Sequence, residues 1–121
     1  MADAFVFETK IEIKLDPRWR RLESEFEAVI QIAARNIEAR SKRLVPIDTG
    51  ATMNSIEARS EGKMEWRIGP TTEYAPFLEF GTADTSGREI MPARPYMIPS
   101  GEHERPRVRK AVAELVKRLE S

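Results

Sequence analysis

Ile56-Glu57-Ala58-Arg59-Ser60-Glu61-Gly62-Lys63-Met64-Glu65-Trp66-Arg67-Ile68 is the stretch whose reading decides the fold. Ile56, Ala58 and Ser60 before Gly62, and Met64, Trp66 and Ile68 after it, alternate with charged residues. That period of two marks a pair of half-buried strands joined by a turn. With both sets facing one core, the expected register sets Ala58 opposite Trp66 and Ile56 opposite Ile68. Arg59 then lies opposite Glu65 and Glu57 opposite Arg67 on the outside. An odd number of loop residues around Gly62, with a bulge, closes the hairpin.

Upstream, Asp48-Thr49-Gly50 is a cap for a short helix over Ala51 to Asn54. Before it the apolar residues Trp19, Leu22, Phe26, Val29, Ile30, Ala33 and Ile37 recur at steps of three and four, the stripe of an amphipathic helix. Asp16-Pro17 starts that helix, because Asp accepts from free first-turn amides and Pro lacks one. Val45-Pro46 ends it, because a residue before proline resists helical geometry. From Phe5 to Leu15 the odd positions are mostly apolar, while Glu8, Lys10, Glu12 and Lys14 are charged, so another half-buried strand is expected.

Downstream, Gly69-Pro70 closes the hairpin, and Tyr74, Phe77, Leu78 and Phe80 form an apolar cluster, in which at least two of Tyr74, Phe77 and Phe80 are expected to cover the sheet. Residues 81 to 95 are rich in Gly, Pro, Thr and Ser, and a long loop without regular structure is expected there. After Pro99-Ser100-Gly101 a last helix is expected from about Pro106 to Leu119, burying Val108, Val112, Leu115, Val116 and Leu119. The fold class that results is α+β: a twisted antiparallel sheet packed against a long N-terminal helix and a C-terminal helix. Residues 1–121 read as a single domain, since no repeat, low-complexity run or linker divides them.

Composition narrows the function. The chain has 121 residues, 20 basic against 20 acidic, one His and no Cys, enough to bury a core without disulfides or metal. Balanced charge argues against a protein whose main task is gripping nucleic acid or an anionic membrane. No apolar run of membrane-spanning length occurs, and MADAFVFETK lacks the marks of a signal peptide, so neither a span nor export by that route is expected. Catalysis is not expected either. His103 sits among Glu102, Glu104 and Arg105 with no convergent partners, and no nucleophile elbow, phosphate loop or metal motif is present. No cofactor or metal site is assigned.

Two surfaces remain. Arg105, Arg107, Arg109 and Lys110 open the expected last helix, where cations oppose the helix dipole at a cost of up to about one kcal/mol per charge at low salt. Contact with DNA or another acidic partner would explain them, and a small nucleic-acid-binding module using this basic start is the alternative function. The second surface is the segment from Tyr74 to Tyr96. Aromatics and Arg dominate interface anchors, and a long loop bracketed by aromatics suits insertion into a neighbour. Tyr74, Phe77, Glu79, Phe80, Asp84, Arg88, Glu89, Arg94 and Tyr96 are its expected subunit or partner contacts. Pairing of this loop with the basic helix end of another copy is a head-to-tail contact, which makes rings when the rotation closes.

Val45-Pro46-Ile47-Asp48-Thr49-Gly50, Ile68-Gly69-Pro70, Tyr74-Ala75-Pro76-Phe77-Leu78-Glu79-Phe80-Gly81-Thr82 and Met91-Pro92-Ala93-Arg94-Pro95-Tyr96 occur in that order. This series resembles a family of small tail-component proteins of long-tailed phages and prophages, also described as head-tail joining or tail-completion proteins. The resemblance covers about half the chain. It implies a non-enzymatic virion protein, assembled in the host cytoplasm into a homo-oligomeric ring, commonly six-fold, at the head-tail junction. Its partners would be the head connector or stopper protein and the tail tube protein, with DNA passing through the lumen without sequence specificity and no membrane involved. Asp48, Thr49 and Gly50 resemble the family's capping turn, Glu79 to Thr82 its hinge into the loop, and Arg94-Pro95 the point of return. Ala51-Thr52-Met53 departs from the usual pattern after the turn. Ser100-Gly101-Glu102-His103-Glu104 interrupts a region where relatives run on helically, so a kinked approach to the last helix is expected.

Overall fold

Alternation from Thr9 to Glu12 produces strand β1, with Thr9 and Ile11 half-buried and Lys10 and Glu12 exposed. The computed structural model describes residues 5, 7–46, 50–73 and 75–120. The strand expected from Phe5 to Leu15 is thus regular over its central part only, although Ile13 still donates its amide to the Met64 carbonyl at 2.9 Å.

Asp16 caps the next element as expected, its carboxylate accepting the Arg18 amide at 2.9 Å. The first turns, Pro17–Leu22, are 3₁₀ rather than α-helical, and helix α1 occupies Glu23–Leu44. Val45 takes an extended conformation (ψ 140°) before Pro46, ending α1 at the expected place. Helix α2, Gly50–Ser55, lies close to its expected bounds; Asp48 and Thr49, the rest of the expected cap, fall outside the described residues.

Strands β2 (Glu57–Gly62) and β3 (Glu65–Gly69) form the expected hairpin, but its facing pairs slide by two residues. Ala58 faces Ile68, Arg59 faces Arg67 and Ser60 faces Trp66, and Gly62 then faces Glu65 across a bulge. The reason is the turn. Met64, expected in the second strand, sits in a tight turn with φ 62°, a left-handed conformation costly for any residue with a Cβ. Its side chain compensates by burial with Phe26, Ile30 and Leu115. The facing guanidiniums of Arg59 and Arg67 are balanced locally, by Glu57 for the first and by Glu8 and Glu65 for the second.

β3 is the central strand of an antiparallel sheet ordered β1-β3-β2. Glu38 of α1 covers part of the β2 edge, accepting the Ala58 amide at 2.9 Å. After Pro70 comes helix α3 (Ala75–Phe80), and then two short strands, β4 (Thr82–Ala83) and β5 (Glu89–Met91), paired as a ribbon. The stretch expected to be structureless therefore carries a hairpin. Its composition hid this, because the turn is built from side-chain hydrogen bonds of Asp84 rather than from apolar alternation.

The last helix, α4, spans Met97–Glu120 and begins well before Pro106. Ser100 to Glu104 are helical, against the expected interruption. α1 and α4 run antiparallel, tied near one end by Asn36 to Glu104 (2.9 Å) and near the other by the Arg21 guanidinium donating to the Arg118 carbonyl (3.3 Å). Two clusters fill the core: one around Ala34, Ile37, Ile56, Ile68, Leu78, Tyr96 and Met97, the other around Leu22, Phe26, Ile30, Met64 and Leu115. The fold class is α+β as expected.

Candidate functional site

Four of the six large apolar side chains exposed among the described residues lie between residues 75 and 98, the others being Ile32 and Leu44. Phe77 is 48% exposed, Phe80 62%, Ile90 67% and Ile98 52%. Monomeric proteins rarely leave large side chains this open in one stretch without a binding role. The segment is built on a rigid base from which an arm, β4 and β5, projects.

Glu79 makes the base. It is 2% exposed and lies near the end of α3. Its Oε1 accepts the amides of Tyr96 (3.0 Å) and Met97 (2.8 Å), and its Oε2 accepts that of Ile98 (3.1 Å). These are the free first amides of α4, so a carboxylate from a distant element serves as the helix cap and its charge favours the dipole. The Arg94 amide also donates to the Leu78 carbonyl at 2.7 Å. Gly81 turns the chain into the arm with φ 76°, and a Cβ there would stand 2.7 Å from the Met91 carbonyl oxygen. The arm thus leaves and rejoins the body at nearly one point.

Tyr96 anchors that point. Its hydroxyl donates to the Ala75 carbonyl at 3.1 Å, and its ring meets Phe7, which in turn meets the exposed Phe80. Burial first, and then the negative charge of Glu79, push the Tyr96 phenol above its ordinary range.

At the far end Asp84 Oδ1 accepts the amides of Ser86 (2.9 Å) and Arg88 (3.0 Å) and the Ser86 hydroxyl (2.6 Å). The Ser86 hydroxyl foremost, then the Arg88 amide, hold the Asp84 carboxyl below its usual value of 3.8. Gly87 completes the turn with φ 89°. The arm is therefore ordered at its tip as well as at its root.

The expected contacts divide accordingly. Phe77, Phe80, Asp84, Arg88, Glu89 and Arg94 are exposed and available to a partner. Glu79 and Tyr96, expected at the surface between subunits, are instead buried, because capping and anchoring α4 consumes their polar atoms. Tyr74 lies outside the described residues. Ile90 and Ile98 were missed; the first sits where β4 and β5 slip register, the second in the first turn of a helix expected to start later.

Arg105, Arg107, Arg109 and Lys110 are exposed, but they lie inside α4 rather than at its start, so the dipole penalty does not arise. Arg105 pairs with Glu102 (3.8 Å) and Arg107 with Glu104 (3.7 Å). Among the described residues, no group of three or more His, Asp or Glu side chains could hold a metal ion, and no helix is long and apolar enough to cross a membrane.

One family model matches the chain, that described as "Bacteriophage HK97-gp10, putative tail-component", over residues 13–81. The match takes in α1, α2, the β2–β3 hairpin and α3, leaves out β1 and α4, and ends at the root of the arm. No curated protein and no solved structure matches.

Proposed function

The chain belongs to the HK97-gp10 phage tail-component family, and from that premise we propose that it is a structural ring protein of the head-tail junction. Copies join head to tail through the arm, close into a ring, commonly six-fold in proteins of this kind, and stack between the head connector or stopper and the tail tube. DNA passes through the lumen without sequence-specific contact, and the protein performs no reaction. It is assembled in the host cytoplasm and retained in the virion.

The observation that carries this reading is the ordered arm. Its root is locked by Glu79 and Gly81 and its tip by Asp84, yet Phe77, Phe80 and Ile90 are left to solvent. A segment held this firmly with its apolar groups outward is organised for a partner. Its asymmetry suits a ring, since a contact between an arm and a different patch of the next copy is head to tail and makes a ring when the rotation closes. The basic run on α4 does not favour the separate reading as a nucleic-acid-binding module, because Glu102 and Glu104 pair with two of its four cations.

Silencing the gene in a phage that encodes this chain tests the proposal. DNA-filled heads and tails should accumulate unjoined, and purified protein should restore joining. Joined, infectious particles from the silenced phage would contradict it.

A further inference from the structure

β1 is an edge strand, and among the described residues no strand pairs with its outer side. Between β1 and the first half of α4 runs a groove of about 430 Å³, lined along β1 by Glu8 to Glu12 and across from it by Ile98, Glu102, Arg105, Val108 and Arg109. The helix lies against the strand at Gly101, where a Cβ would be in ordinary contact with Thr9 Cγ2 at 3.4 Å. Ile11, Ile37, Ile98 and Val108 supply an apolar lining, with charges of both signs around it. The two sheet edges differ, since Glu38 covers part of β2 and the groove leaves β1 accessible. Open edges are templates for strand addition, and proteins usually blunt them.

The arm offers a short strand with an exposed apolar residue and charges of both signs. A two-stranded ribbon is marginal in water without further packing. β5 is three residues long, and Thr82 faces Met91 while Ala83 faces Glu89, so Ile90 is the extra residue of a bulge. Bulges re-aim side chains, and this one leaves Ile90 the most exposed large apolar residue described. Arg88 and Glu89 precede it; on the groove walls Glu8, Glu12 and Arg105 are paired with Arg67, Lys10 and Glu102, which leaves Arg109 to meet Glu89. Among the described residues neither Glu89 nor Arg109 forms an ion pair within the chain.

We propose that the β1–α4 groove of one copy receives the β5 strand of the next, with Ile90 seated against Ile98 and Val108 and β5 extending the sheet along β1. This rests on the ring reading above and names its receptor. The occupant is a second copy of this chain, and the contact is heterologous.

The chain has no cysteine, so thiols can be placed without background. Ile90→Cys and Ile98→Cys both replace exposed side chains and should fold. The two single variants, mixed and produced in cells making the whole phage, are treated in purified particles with a short bismaleimide. The expected result is a covalent dimer in the mixture, none with either variant alone, and a ladder of multimers with the double variant. Particles that contain the protein but give no mixed dimer would overturn the groove assignment and leave the ring reading standing. Dimers from Ile90→Cys alone, or links confined to one chain of the double variant, would likewise overturn it. Protein absent from joined particles would overturn both.

Discussion

The carboxylate of Glu79 accepts the backbone amide of Met97 at 2.8 Å, so the end of α3 and the start of α4 are fastened to one another across the root of the arm. Glu79→Ala removes the acceptor for Tyr96, Met97 and Ile98 together and leaves buried donors unpaired. The expected loss is on the order of 2 kcal/mol or more. Urea denaturation reads it, with faster hydrogen exchange at those amides. A variant as stable as the parent would show that the cap is dispensable.

Phe26 is fully buried and its ring stacks on Trp19 with centroids 5.5 Å apart. Phe26→Ala should cost about 3 to 5 kcal/mol, the usual price of emptying an aromatic core position. Given that small domains are stable by only about 5 to 15 kcal/mol, much of the chain's margin would go. A fall of less than about 1 kcal/mol in the denaturation free energy would mean that the second cluster closes around the gap.

How far the fold could be read in advance depended on what the local sequence encodes. The stripe from Trp19 to Ile37 and the stop at Val45-Pro46 are local signals, and α1 ends where they put it, although the turns over Pro17–Leu22 are 3₁₀. The hairpin's register slid because Met64 adopts a positive φ that only its burial beside Phe26 explains. The start of α4 was invisible because its cap, Glu79, is far away in sequence. The same fact removed Glu79 and Tyr96 from the expected partner surface. Several residues of the quoted motifs prove to be folding devices: a Cβ on Gly69 would collide with the Phe7 carbonyl oxygen at 2.2 Å, and Gly81 needs its positive φ. Phe77 and Phe80 are among the expected contacts but not as an exposed pair, since at least two of Tyr74, Phe77 and Phe80 are expected to cover the sheet; Ile90 is not among those contacts, because a bulge, not a pattern, exposes it.

Acid should loosen the arm's tip. The Asp84 carboxyl is held below its ordinary 3.8 by the Ser86 hydroxyl and the Arg88 and Ser86 amides, so the ionised form is the one the fold favours. Its contribution is complete above about pH 4 and fades as pH falls through the lowered value. Amide signals of Ser86 and Arg88 should shift below pH 3.8, and Asp84→Asn should remove that titration. A tip unaffected by pH in this range would exclude the role given to Asp84.

Replacing Ala83 to Ile90 with a two-glycine turn should leave the fold intact and abolish joining. Every residue replaced is exposed, so little core is lost. Circular dichroism and denaturation should match the parent within about 0.5 kcal/mol, as for other surface changes. Infectious particles containing the shortened protein would show that the arm is not the assembly element.

Electron cryomicroscopy of the neck of virions that carry this protein is the most direct examination of its place and symmetry. The account predicts a closed ring of this fold between connector and tail tube, each arm lying on its neighbour around an open lumen. Complete, infectious virions with no copy of the chain at that level, or with isolated copies that do not touch, would contradict it.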